Sequence, residues 1–171
     1  MRLKEYSVIT RSEKETAHLG ALLGKLIEEP MVIALKGDLG AGKTVFVRGA
    51  AMGIGVNEQV TSPTFVLLKV YRGRFPVYHF DYYRLNEGED EEAVEMGFEE
   101  YLPGDGVAFV EWAERLPLLL PVDYLEIYME LFFDKEGEGR RLTFVSHGKL
   151  AASIVGELVN NLSADINGAS N

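Results

Sequence analysis

Apolar residues recur along this chain with two periods, and the switching between them lays out the elements. Leu19, Leu22, Leu23 and Leu26 return at the 3.6-residue spacing of a helix with one buried face. Ser12 opens that segment and Glu15 follows three positions later, the spacing of a capping box. Glu28-Glu29-Pro30 closes it, and Glu5 to Ile9 ahead of it reads as a short strand. Leu125, Ile127, Met129 and Leu131 alternate with Tyr124, Glu126, Tyr128 and Glu130, so Asp123 to Phe132 reads as a half-buried strand. Arg140 to Val145, with Leu142 and Phe144 pointing one way, is its expected partner across a turn at Asp134 to Gly139. Two runs are apolar at nearly every position, Met31 to Leu35 and Val107 to Val110, as expected of strands covered on both faces. Phe65 to Tyr71 and Phe75 to Phe80 read as two further strands, a hairpin about Arg72-Gly73-Arg74. Helices are expected from Lys43 to about Met52, ended by Gly53-Ile54-Gly55, and from Leu150 to Leu162. Asp90 to Met96 is expected to form a short helix that Phe98 to Leu102 extends or follows.

Strands and helices mix throughout, with no repeat and no linker. The expected domain is 1–162, with Ser163 to Asn171 as a frayed tail. The 171 residues suffice for one sizeable core, and 47% of them are hydrophobic. No cysteine is present, which excludes disulfides and thiolate metal sites, and His18, His79 and His147 have no ligand-like spacing. No apolar run reaches the roughly 20 residues that span a membrane. Met1 to Glu5 lacks the apolar stretch of a signal peptide, so the expected location is cytoplasmic. A formal charge of −10 argues against a broad nucleic-acid surface. Its densest stretch, Glu87 to Glu92, reads as solvated surface or, more sharply, as a docking face for a basic partner.

The chemistry starts at Gly37-Asp38-Leu39-Gly40-Ala41-Gly42-Lys43-Thr44, which follows an apolar strand and opens a helix. This is the phosphate-loop pattern in its required setting. Glycines let the backbone turn tightly and approach phosphates without a Cβ in the way. The amides then point inward as a nest, and the following helix adds its positive end. Lys43 can reach the β and γ phosphates, and Thr44 is placed to ligate Mg²⁺. The expected fold is a three-layer α/β domain of the P-loop NTPase type. Its central sheet is mixed but mainly parallel, with the loop at the carboxyl ends of its strands.

A hydrolytic site also needs an acidic group near the metal and a means of placing water. Two carboxylates compete for this work. Glu111 ends the most apolar strand, where the second acidic motif of such enzymes lies, and its bland alternative is a surface acid. Asp81 ends Val77 to Phe80 and can touch the metal or orient water, with a strand-end cap as the alternative. Thr61-Ser62-Pro63-Thr64 offers three hydroxyls around a stiff proline, either as a γ-phosphate sensor or as an ordinary turn. Trp112 stacks at the site or belongs to the core. Arg84 neutralises phosphates or pairs with local acids. His79 is an interior histidine or handles protons beside Asp81.

Four motifs together carry a family resemblance: the phosphate loop, Ser62-Pro63-Thr64-Phe65, His79-Phe80-Asp81-Tyr82-Tyr83-Arg84-Leu85, and Glu111-Trp112. Through about His147 the chain resembles the TsaE family of bacterial ATPase subunits that support threonylcarbamoyladenosine synthesis on tRNA. The resemblance implies a cytosolic, ATP- and Mg²⁺-dependent enzyme. It implies work with two related subunits of the actin-like, sugar-kinase-like fold, and indirect or weak contact with tRNA. On this reading Lys43, Asp81 and Glu111 are catalytic, and Thr44, Asp81 and Glu111 serve the metal. The nucleotide meets Gly37, Asp38, Leu39, Gly40, Ala41, Gly42, Lys43, Thr44, Thr64 in a switch-like segment, and Trp112. The competing classes are a GTP-dependent switch, which lacks the usual Asn-Lys-x-Asp segment here, and a small-molecule kinase. Arg140-Arg141 is the only adjacent basic pair downstream to serve the kinase as a lid.

Overall fold

The fully apolar runs become the centre of one sheet. The structure, a computed structural model, describes residues 5–168. Its strands are β1 (Glu5–Thr10), β2 (Met31–Lys36), β3 (Leu68–Arg72), β4 (Pro76–Asp81), β5 (Val107–Glu111), β6 (Tyr124–Asp134) and β7 (Gly137–His147). Its helices are α1 (Glu13–Leu26), α2 (Lys43–Ile54), α3 (Asp90–Glu95) and α4 (Lys149–Gly168), with single 3-10 turns at Phe98–Tyr101, Ala113–Arg115 and Pro117–Leu119. The strand order is β1-β7-β6-β2-β5-β4-β3. The middle four strands are parallel, and β1, β7 and β3 run antiparallel to their neighbours. This is the mixed, mainly parallel α/β sheet of the P-loop NTPase type.

The two faces of the sheet are covered differently. Odd positions of β2, such as Ile33 and Leu35, meet Leu19 and Leu23 of α1, Phe46 and Ala50 of α2, and Ile154 and Leu158 of α4. Even positions, Val32 and Ala34, meet a layer built from Tyr82, Phe98, Leu102, Leu116 and Leu119. Small side chains on the sheet at Ala34 and Ala108 leave room for rings there. Phe80 and Phe98 pack edge to face with centroids 5.2 Å apart, and Tyr82 stacks on Phe98 at 5.9 Å.

Helices α1 and α2 approach backbone to backbone. A Cβ on Gly49 would lie 1.9 Å from the Ala17 carbonyl oxygen, and one on Gly20 would lie 2.3 Å from that of Phe46. Gly24 and Gly53, four residues on in each helix, are equally tight against Ala50 and Ala21. This contact anchors α2, and with it the first turn that the phosphate loop leads into. Glycine inside a helix costs about 1 kcal/mol and asks for a packing reason, which this contact supplies; Gly53, expected to end α2, therefore lies inside it, and Gly55 is the C-cap.

Ser12 caps α1 through Glu15 N–H at 3.1 Å, while Glu15 reaches one residue further back than a standard box, to Arg11 N–H at 2.6 Å. Three boundaries differ from expectation. Phe65 to Leu67 are not strand: the Pro63 carbonyl accepts from Val66 and Leu67 N–H at 3.0 and 2.7 Å, curling the chain, and Phe65 is 82% exposed. The expected turn at Asp134 to Gly139 shrinks to Lys135-Glu136, because Asp134 accepts the Glu136 N–H at 2.9 Å and Gly137 takes φ 103. Finally, α4 continues past Leu162 to Gly168, the first helix breaker after it. The rest of the expected tail, 169–171, lies outside the described residues.

Candidate active site

Strand register does the first positioning. Leu35, Glu111 and Asp81 are neighbours across the parallel strands β2, β5 and β4. Side chains alternate along strands, so Glu111 follows Phe109 and Asp81 follows His79 onto the face that carries α2. Both acids therefore meet the start of α2 at the carboxyl edge of the sheet, each 3% exposed.

The loop itself is a cradle. Gly37 has φ 133, and a Cβ there would lie 2.1 Å from the Met129 carbonyl oxygen, so only glycine passes. Gly42 is the N-cap of α2 at φ 98 and offers no capping side chain. The first amides of α2 thus receive no side-chain cap, which is the donor set an anion satisfies. Lys43 is buried, and its Nζ donates to the Gly37 and Asp38 carbonyls at 2.6 and 2.9 Å. The ammonium also sits 4.3 Å above the Trp112 ring. Burial pushes the Lys43 pKa below the usual lysine value, while Glu111, Glu114, Asp81 and Asp38 oppose the shift.

Two short hydrogen-bond chains organise the acids. Thr44 Oγ1 donates to Glu111 Oε1 at 2.8 Å, and His79 Nε2 meets the same oxygen at 2.8 Å. A carboxylate only accepts, so Nε2 is the donor in this pair. His79 is fully buried, and its Nδ1 has no hydrogen-bond partner. Asp81 Oδ2 accepts from Thr64 Oγ1 at 2.7 Å and Ser62 Oγ at 3.3 Å, while Oδ1 accepts Tyr83 N–H at 2.9 Å. Asp81 therefore caps its strand end and also ties the Ser62–Thr64 segment to the site. Trp112 holds φ 57, a left-handed conformation costing a non-glycine residue about 1–2 kcal/mol, and it turns the chain so that its ring faces Lys43.

Lys43, Thr44, Ser62, Thr64, Asp81, Glu111 and Trp112 line one cavity of about 300 Å³ with Leu39, Gly40, Gly42, Tyr83, Glu13 and Arg140. A larger, mostly apolar groove of about 710 Å³ between β1, α1 and α4 has no comparable convergence of acids, hydroxyls and a buried lysine. Arg84 does not line this cavity; it stacks 4.3 Å over the Phe65 ring. Among the described residues no group of three His, Cys, Asp or Glu forms a metal-ligating cluster. No described helix is long and apolar enough to cross a membrane. His79 is the interior histidine that was one of its two expected roles, and its hydrogen-bond partner is Glu111 rather than Asp81. Arg140 was expected only as half of a basic pair for a kinase lid, yet the alternation that buries Leu142 and Phe144 puts Arg140 on the same face.

Fold and site together define an α/β protein of the P-loop NTPase type, with a glycine loop and two convergent acids at the carboxyl edge of the sheet. The particular family follows from comparison: residues 10–141 match the family described as "Threonylcarbamoyl adenosine biosynthesis protein TsaE". The chain belongs to the TsaE family. It is 44% identical over 130 residues to the tRNA threonylcarbamoyladenosine biosynthesis protein TsaE of Treponema pallidum, covering 76% of this chain and 95% of that one. It is 36% identical over 157 residues to the Bacillus subtilis protein of the same name, covering 91% and 95%. The crystal structure of Bacillus subtilis YdiB superposes with a TM-score of 0.78 at 33% identity, covering 94% of this chain and 98% of that one.

Proposed function

We propose that this chain is a Mg²⁺-dependent ATPase that supports threonylcarbamoyl transfer to tRNA adenosine within a multisubunit complex. The observation that carries the reading is the junction of β2, α2 and β5. There the buried Lys43, the Thr44–Glu111 hydrogen bond and the uncapped start of α2 converge on one cavity. Family membership supplies the pathway. The resemblance supplies the partners, two subunits of the sugar-kinase-like fold in the cytoplasm, with tRNA met indirectly or weakly.

Each residue then has a physical task. The loop from Gly37 to Gly42 wraps the phosphates with backbone donors, and Lys43 exchanges its two carbonyl partners for phosphate oxygens. Thr44, Glu111 and Asp81 are the groups that would hold Mg²⁺, which neutralises charge on the β and γ phosphates. A magnesium site of this type takes few protein ligands because phosphates and water complete it. His79 holds the Glu111 carboxylate toward Thr44. Asp81 orients water and, through Thr64, couples this to the Ser62–Thr64 segment. Partners that order this segment raise the fraction of molecules with water, metal and γ phosphate aligned.

Reconstitution tests the reading. ATP hydrolysis is measured for the chain alone, with each partner and with both, while threonylcarbamoyladenosine is followed on tRNA. Threonylcarbamoyl-adenylate is supplied, so ATP is not needed to make that substrate. Slow hydrolysis alone, stimulation by the complex, and loss of sustained modification with Lys43→Ala are expected. Fast hydrolysis indifferent to the complex would sink the gating. Full modification without turnover by this chain would sink its place in the reaction, and phosphate found on a small acceptor would make it a kinase.

A further inference from the structure

Arg140 is a buried cation with a donor left over. It lies near the start of β7 on the face that carries Leu142 and Phe144, and it is 8% exposed. Its Nη1 pairs with Glu138 Oε1 at 2.9 Å, but its Nε is buried without a hydrogen-bond partner. A buried N–H on a charged group that goes unsatisfied is costly, so the position calls for an acceptor. The surroundings indicate where that acceptor sits. A Cβ on Gly42 would lie 3.2 Å from Nε and 3.3 Å from Cδ, so the guanidinium packs on the residue that caps α2. Arg140 also lines the cavity that holds Lys43, Thr44 and Asp81. In the sheet, β5 and β4 lie on one side of β2 and β6 and β7 on the other, so Arg140 and the two acids stand on opposite flanks of the loop.

We propose that Arg140 binds the nucleotide at its α-phosphate, donating Nε–H to a non-bridging oxygen at the end away from the metal. The inference rests on the reading of this cavity as a nucleoside triphosphate site. Thr44 and Glu111 draw the β and γ phosphates to the acid flank. The chain of phosphates then leads out past Gly42 and Arg140. A phosphate oxygen is the anionic acceptor that a charged, buried donor matches. A purine stacked on the guanidinium plane would leave Nε unsatisfied. The α-phosphate is common to ATP and ADP and is remote from the bond being broken. Arg140 therefore contributes uniform binding rather than rate.

Calorimetric titration of Mg·ADP and Mg·ATP into the full chain tests this with Arg140→Gln, Arg140→Lys and Glu138→Gln. Arg140→Gln is expected to weaken ADP and ATP by the same factor, about tenfold or more, as for loss of a hydrogen bond to a charged group. Wild-type protein is expected to prefer one diastereomer of α-thio-ATP, and Arg140→Gln to lose that preference. Glu138→Gln removes the ion pair but keeps Arg140, so ADP affinity should hold or rise; a merely structural role for the pair predicts a fall. If Arg140→Gln does not fold, Arg140→Lys carries the same diastereomer comparison. Unchanged ADP affinity in folded Arg140→Gln would overturn the proposal, and so would a loss confined to ATP, which places the contact at the γ phosphate. Wild-type protein that bound neither nucleotide would remove the parent reading itself.

Discussion

The two flanks of the phosphate loop are built on different principles. On the acid flank, β5 and β4 end in Glu111 and Asp81, and each acid is already engaged by hydroxyl or imidazole partners from elsewhere in the chain. On the other flank, the β6–β7 hairpin delivers one guanidinium whose Nε is unsatisfied. A carboxylate held in place by neighbours is suited to a task of orientation, holding metal or water at a set angle. A cation with a spare donor is suited to a task of attraction. The difference separates rate from affinity, and that separation can be broken experimentally.

The largest effect is expected at Asp81. Asp81→Asn keeps the size of the side chain and removes its charge. Single-turnover hydrolysis with saturating partners should fall about 10²–10³-fold, the range for losing one group aligned with the transition state. Nucleotide affinity should hardly move, and an unchanged rate would break the assignment of the acid flank to rate. Lys43→Ala acts at the centre, between the flanks. It should cost about 3 kcal/mol of binding, roughly a hundredfold, for two hydrogen bonds from a charged donor. Equal affinities of mutant and wild type by calorimetry would remove the cradle.

A smaller effect is expected in stability. His79→Ala opens a hole at a fully buried position and strips Glu111 of a partner, so urea denaturation should show a loss of about 2–3 kcal/mol. Mg²⁺ dependence of nucleotide affinity should change with it, which a purely structural histidine would not cause. The smallest effect is a pH dependence with opposite signs for folding and binding. Burial lowers the Lys43 pKa from 10.5, so the folded chain releases this proton before the unfolded chain does. Between the lowered value and 10.5 the unfolded state binds more protons, and the Lys43 contribution to stability rises with pH. Nucleotide affinity falls over the same window because the ammonium is lost. Both trends should vanish from the comparison when Lys43→Met replaces the wild type, and parallel trends would mean that another group is responsible.

Legibility in the sequence tracked the range of the interaction. The loop, Lys43 and Thr44 could be read because eight contiguous residues carry one local geometry. Glu111 and Asp81 could be read because a strand's last residue is set by local pattern. His79 could be read as an interior histidine, but its partner Glu111 could not, since it lies 32 residues away. The curl at Phe65 to Leu67 was hidden because β-branched and aromatic residues suit a strand, while Pro63 and the Asp81 contacts with Ser62 and Thr64 overrule that preference.

By itself the sequence determined the kinds of elements, the glycine cradle, the charged and hydroxyl groups available to it, and the family motifs. These are properties of short segments, decided by backbone sterics and hydrophobic period. The tertiary structure decided which groups share an oxygen, which flank each charge occupies, and that Gly20, Gly24, Gly49 and Gly53 bring α1 and α2 into backbone contact. It also decided that Arg140, a surface-type residue by composition, is buried beside Gly42. Such facts depend on strand order, strand register and helix packing, which join residues far apart in the chain, and no local periodicity encodes that pairing.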